Sequence, residues 1–83
     1  MKVRILYFAK ARDLAGTSEE TVELRPEVVT LRDLARELIE LHPALGAGAL
    51  ERMRIARNES FAELDERPTD GDVIALIPPV AGG

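Results

Sequence analysis

Val73-Ile74-Ala75-Leu76-Ile77 is a continuous apolar run set between a turn signal, Asp70-Gly71-Asp72, and two prolines, Pro78-Pro79, that cannot extend a hydrogen-bonded ladder. A strand with one face in water alternates apolar and polar residues, so an unbroken run predicts a central strand. Its counterpart lies at the other end of the chain. Lys2 to Ala9 reads KVRILYFA, with Val3, Ile5 and Tyr7 on one face and Leu6 and Phe8 on the other, and is read as a second central strand buried on both sides.

Working inward, Lys10 to Gly16 carries Leu14 and ends in glycine, which predicts one or two helical turns before a second strand at Glu20 to Leu24. Arg25-Pro26-Glu27 turns the chain. Thr30 is placed to cap a helix, with Asp33 at the acidic position of a capping box. Leu31, Leu34, Ala35, Leu38 and Ile39 recur at helical spacing, so the main helix is predicted over Leu31 to Leu41, ending before Pro43. Pro43 to Leu50 (PALGAGAL) reads as a loop or frayed turn. Met53 and Ile55 alternate with Arg52, Arg54 and Arg57 in a half-exposed strand, and Asn58-Glu59 turns into a short segment holding Phe61 and Leu64.

The two most apolar strands thus stand at the two ends of the chain, with one strong helix between them. Pairing them in parallel at the sheet centre requires a crossover, which the helix supplies. The expected fold is α+β, a β-grasp of four to five mixed strands with one main helix packed across it. The expected domain is residues 1–77, followed by a free tail, 78–83.

Eighty-three residues, 46% of them hydrophobic and 31% charged, suit a single globular domain. No apolar run approaches a membrane span, and Val3 to Ala9, interrupted by Arg4, lacks a cleavage site after it, so the expected location is cytoplasmic. A net charge of −4 argues against nucleic acid and favours a basic protein partner. With no cysteine there is no thiolate nucleophile and no zinc-finger pattern, so any sulfur chemistry must use sulfur supplied from outside. No metal site is expected: Asp70 and Asp72 flank Gly71 as turn residues without the other ligands of a calcium loop. His42 reads as a cation at a helix C-terminus. Glu19-Glu20 and Asp65-Glu66 read as adjacent pairs on solvent edges, and Ser18 and Ser60 lack a nucleophile motif.

The last residues carry the functional signal. Pro78-Pro79-Val80-Ala81 forms a stiff stalk leading to Gly82-Gly83. A carboxylate is inert until activated, and an enzyme that activates it must thread the terminus through a narrow channel. Glycine, without a Cβ, permits that close approach. Random chains end in two glycines about once in 200, so the ending gains weight only together with the rest of the chain.

Ile5 to Gly16 (ILYFAKARDLAG) and Pro68 to Gly83 (PTDGDVIALIPPVAGG) resemble the small subunit of molybdopterin synthase, one of the ubiquitin-like sulfur carriers. The resemblance implies a β-grasp fold and sulfur carried as a C-terminal thiocarboxylate. The Gly83 carboxylate would be adenylated by a ubiquitin-activating-type enzyme using ATP, and the adenylate displaced by sulfur from a donor of the cysteine desulfurase or rhodanese type. No cofactor would be bound permanently. Two carriers would each give one sulfur to a cyclic pyranopterin precursor held in the large subunit, within a heterotetramer of two small and two large subunits. Gly82 would give clearance behind the reacting carbonyl, and Pro78, Pro79, Val80 and Ala81 would enter the partner.

The same resemblance maps a docking patch to Phe8, Phe61 and Ile77 on the open sheet face, with Arg12 at its edge. The competing assignment places those three apolar residues in the core. Within the class, a carrier for thiamine or tRNA thiolation competes. Thiamine carriers are shorter and lack the YFA-x-x-R opening and the double proline. Outside it stands a ubiquitin-like protein modifier or a plain binding module.

Overall fold

The computed structural model describes residues 1–46 and 48–79. Strand β1 (Lys2–Tyr7) is followed by helix α1 (Ala9–Ala15), β2 (Glu19–Glu23), helix α2 (Leu31–Leu41), two 3₁₀ turns (Pro43–Leu45 and Leu50–Arg52), β3 (Arg54–Arg57), β4 (Ser60–Phe61) and β5 (Val73–Ile77). The five strands form one sheet in the order β2-β1-β5-β3-β4. The two terminal strands pair in parallel, Arg4 opposite Val73 through Tyr7 opposite Leu76, and β5 lies at the centre. β2 runs antiparallel to β1, and β3 antiparallel to both β5 and β4.

This is the expected mixed-sheet architecture, and the main helix has the predicted bounds. Its start is fixed chemically. Thr30 Oγ1 accepts from the Asp33 amide at 3.3 Å, and Asp33 Oδ2 accepts from the Thr30 and Val29 amides at 3.1 and 3.0 Å. Those amides draw the Asp33 carboxyl below the usual carboxylate range. The next two helix amides, of Leu31 and Arg32, donate to the carbonyls of Glu66 and Leu64 and tether the segment before β5 to the helix start. One stripe of α2, formed by Leu31, Leu34, Ala35 and Leu38, is buried against Val3, Ile5 and Tyr7 of β1 and Ile74 and Leu76 of β5. Each fully buried leucine there contributes about 2 kcal/mol.

Several expectations are corrected. β1 is covered on one face only: Leu6 is half-buried and Phe8 is 48% exposed, because both helices lie on the Val3-Ile5-Tyr7 side. β2 begins and ends one residue earlier than expected, at Glu19 and Glu23. The described residues of Pro43 to Leu50, read as a loop or frayed turn, form short turns that also contribute to the core. Leu45 and Leu50 are core residues, and a 3₁₀ turn holds Leu45 under the helices. β3 does not alternate throughout, since Ile55 and Ala56 are both buried, one on each face.

Two carboxylates play structural roles beyond the solvent-edge and turn positions the sequence suggests. Glu20 points inward from β2, where its carboxylate takes the Tyr7 hydroxyl and the His42 Nε2, each at 2.5 Å. His42 closes α2, as its position predicted, and its ring also meets Tyr7 edge-on at 5.6 Å. Burial alone would raise the Glu20 carboxyl; the bonds from Tyr7 and His42 outweigh it and draw the carboxyl below its usual range. The Tyr7 hydroxyl is pushed up by burial and by its bond to Glu20.

Asp72 is the larger correction, for it is a buried anchor as well as a turn residue. Its carboxylate accepts from Asn58 Nδ2 (2.9 Å), Arg57 Nε (2.8 Å), the Thr69 amide (2.8 Å) and the Thr69 hydroxyl (2.9 Å). Asn58 Oδ1 in turn accepts from the Val73 amide at 2.9 Å. Asn58 and Glu59 both have positive φ, 51° and 72°, the backbone of a tight hairpin turn, and this cluster locks that turn to the start of β5. Burial alone would raise the Asp72 carboxyl; the four donors override it and hold the group far below the ordinary carboxylate range.

Asp72→Asn is expected to cost about 2 kcal/mol at neutral pH, because a buried charge-assisted acceptor on which four donors converge is lost. A carboxyl depressed by folding stabilises above its unfolded pKa and loses that contribution as the pH falls. The stability gap between wild type and variant should therefore narrow below about pH 4. Urea denaturation across pH checks this, and a gap that persists at low pH would refute the assignment.

Candidate functional site

The face of the sheet turned away from the helices divides into two halves. Strand alternation places Lys2, Arg4 and Leu6 of β1 on this face, opposite Glu23, Thr21 and Glu19 of β2, and Arg4 pairs with Glu19. The half toward the end of β5 is apolar. Leu6, Phe8, Ala56, Phe61, Val73, Ala75 and Ile77 line a shallow groove of about 240 Å³, with Glu59 at its rim. Phe61 is 58% exposed and Phe8 48% exposed, whereas Ile77 is half-buried. The assignment of these three residues to the core is therefore excluded. They converge on one hollow, a continuous apolar patch of the kind that marks an interaction surface.

Each member is positioned by a different element. Phe8 follows β1 and precedes α1, and its amide donates to the Leu76 carbonyl, so the parallel pairing itself sets its place. Phe61 is carried by β4, opposite Ala56, on the hairpin that Asp72 locks. Ile77 ends β5 opposite Arg54, and Pro78 and Pro79 follow it directly. The stalk therefore leaves the sheet at the margin of the groove, with φ fixed at two successive residues. Arg12, the charged residue expected at the patch edge, lies exposed on α1 and does not line the groove. Val80, Ala81, Gly82 and Gly83 lie outside the described residues.

The sequence reading passed over two features. Asn58, Thr69 and Asp72 act together, and the available signal was a pair of turns, Arg57-Asn58-Glu59 and Thr69-Asp70-Gly71-Asp72, whose side chains could bond each other only if β3 and β5 were neighbours. The second is Arg54, whose guanidinium lies 3.6 Å from the centroid of the Phe61 ring on the groove's border. Among the described residues no group of three or more His, Cys, Asp or Glu side chains is gathered to hold a metal, and no helix is long and apolar enough to cross a membrane.

A β-grasp domain that presents an apolar groove beside the exit of its C-terminal strand defines the class: a ubiquitin-like protein. Comparison with known proteins gives the family. The ThiS family matches residues 5–83, and the chain belongs to it. It is 38% identical to a molybdopterin synthase sulfur carrier subunit of Chlamydomonas reinhardtii, with the whole of both chains covered. Among solved structures it matches SAMP1 from Haloferax volcanii with a TM-score of 0.85 and 30% identity over the whole of both chains. It also matches, with a TM-score of 0.70 and 27% identity over all of both chains, a protein from Helicobacter pylori 26695 solved as a complex of subunits 1 and 2 of molybdopterin-converting factor.

The face assignment can be checked on stability alone. Phe8→Ser and Phe61→Ser should each change the unfolding free energy by less than about 1 kcal/mol, as for exposed positions. Leu76→Ala, on the opposite face of β5, should cost about 3 kcal/mol. Urea denaturation midpoints read out all three, and a large loss at Phe8 or Phe61 would return those rings to the core.

Proposed function

We propose that this chain is a sulfur carrier in molybdopterin synthesis. The observation that carries the reading is the placement of the Pro78-Pro79 stalk at the margin of an exposed apolar groove on a family β-grasp domain. A partner that covers Leu6, Phe8, Phe61 and Ile77 thereby sits beside the point where the Pro78-Pro79 stalk leaves the sheet. Burying the groove supplies affinity, and the prolines lower the entropy lost when the tail is inserted.

In this reading the reacting group is the carboxylate of Gly83. A ubiquitin-activating-type enzyme transfers AMP from ATP to it and releases pyrophosphate. The terminal sulfur of a persulfide on a donor of the desulfurase or rhodanese type then displaces AMP to give an acyl disulfide, and a thiol cleaves its S–S bond, forming a disulfide with the donor's cysteine and leaving a thiocarboxylate on the carrier. Activation is needed because carboxylate oxygen is a poor leaving group and AMP a good one. The chain has no cysteine to compete for the sulfur. Gly82 leaves room for the activating enzyme at the reacting carbonyl.

The sulfur passes to a cyclic pyranopterin precursor held by a molybdopterin synthase large subunit, in a cytoplasmic heterotetramer with one carrier on each of two large subunits. Names of relatives support this assignment, as does the two-subunit complex of the Helicobacter pylori protein. The other reading, a protein modifier joined to target lysines, is favoured by the likeness to SAMP1 at 30% identity.

Incubation with the activating enzyme, ATP and a sulfur donor should give a C-terminal fragment with sulfur in place of one oxygen, seen by intact and fragment mass spectrometry. Removal of Gly83 should abolish that product and leave the melting curve unchanged. An unmodified terminus under conditions that load a known carrier would refute the reading, and isopeptide adducts on other proteins would favour the modifier.

A further inference from the structure

The apolar groove has a cation fixed on its border. Arg54 opens β3 on the same face as Ala56, opposite Ile77, the last strand residue before the stalk. Its guanidinium is stacked on Phe61 at 3.6 Å. Among the described residues the Arg54 side chain takes part in no ion pair or hydrogen bond, whereas Arg4, Arg25, Arg36 and Arg57 each meet a carboxylate. Arg54 also borders a second hollow of about 510 Å³ beside α2, which Arg32 and Arg36 line with it together with Glu51 and Glu63. At the groove's border itself the cation is Arg54, in a chain whose net charge is −4.

Stacking leaves the edges of a guanidinium, and so its N–H donors, directed outward. It also orders a long side chain before any partner arrives, which removes part of the entropy cost of a later contact. A stacked arginine at an exposed site gains about 0.5–1 kcal/mol, too little to make stability the reason for its position. Charge beside an apolar groove acts chiefly on partner choice and on the rate of encounter.

We infer that Arg54 is a specificity-determining contact, which meets a carboxylate of the large subunit that docks on the groove. The inference rests on the sulfur-carrier reading and adds to it the chemistry that subunit must present: an apolar projection for the Phe8-Phe61-Ile77 hollow with an acidic side chain on its β3 side. A surface with the projection and no acid would fit the groove and lose the charge contact.

The test is calorimetric titration of the full-length chain with a molybdopterin synthase large subunit, over about 50 to 500 mM salt. Arg54→Gln should weaken binding about fivefold or more at low salt and flatten its salt dependence. Arg54→Lys, which keeps the charge without the planar stack, should restore most of both. Melting curves confirm that the variants are folded. Binding by Arg54→Gln within about twofold of wild type, with the same salt dependence, would overturn the role of Arg54 alone. Failure of Arg54→Lys to recover would show that stacking on Phe61, and not charge, is what matters, and would overturn it equally. If the unaltered chain fails to bind the large subunit, the sulfur-carrier reading falls and this inference falls with it.

Discussion

The parallel hydrogen bonding of β1 to β5 is the constraint on which the other features depend. It joins the first strand to the last, so every element between them must lie within a closed crossover, and α2 occupies that crossover on one face. Because side chains alternate, the register that buries Ile5 with Ile74 and Tyr7 with Leu76 leaves Leu6, Phe8, Ala75 and Ile77 together on the other face. A slip of one residue would exchange the two sets. Core and groove are thus two consequences of one pairing, and the same pairing brings the start of α1 and the origin of the stalk to one end of the sheet.

The groove's third wall, Phe61, belongs to a hairpin of only two paired positions, too short to hold itself. Its support comes from below. Asp72 gathers Asn58, Arg57 and Thr69 around one carboxylate and couples a strained turn to the strand that leads to the stalk. Buried charge of this kind is tolerated because every lone pair has a donor; no buried side-chain nitrogen or oxygen among the described residues lacks a partner. On the far side of the sheet Glu20 does similar work, joining β2, β1 and the end of α2 through Tyr7 and His42. Both clusters lie where neighbouring elements must keep a fixed angle for the groove to keep its shape.

Much of this was legible in the residues. The capping box at Thr30 and Asp33, the apolar stripe of α2 and the run from Val73 to Ile77 are local signals, and the structure returns their bounds unchanged. The topology followed because two strongly apolar strands at opposite ends have few arrangements open to them. Less was legible where the meaning of a residue depends on a neighbour distant in sequence. Glu20 and Asp72 look like solvent carboxylates until β1 and β5 are paired, and Leu45 looks like a loop residue until α1 and α2 are placed over it. The exposure of Phe8 shows the reverse error: an apolar run in β1 reads the same whether its second face is covered by helix or kept for a partner. The groove itself was anticipated from resemblance, and its border at Arg54 was not, since stacking across β3 and β4 leaves no trace in either strand alone.

The outer margins of the sheet carry one more consequence. At one margin β2 exposes an unpaired edge, with the carboxylates of Glu19 and Glu23 exposed along it. At the other, β4 is two residues long. Two copies meeting margin to margin would oppose like charges at the first and find almost no ladder to extend at the second. A sheet with an exposed apolar groove is thereby guarded against adding strands to itself, the most direct route by which small sheet proteins are lost to aggregation.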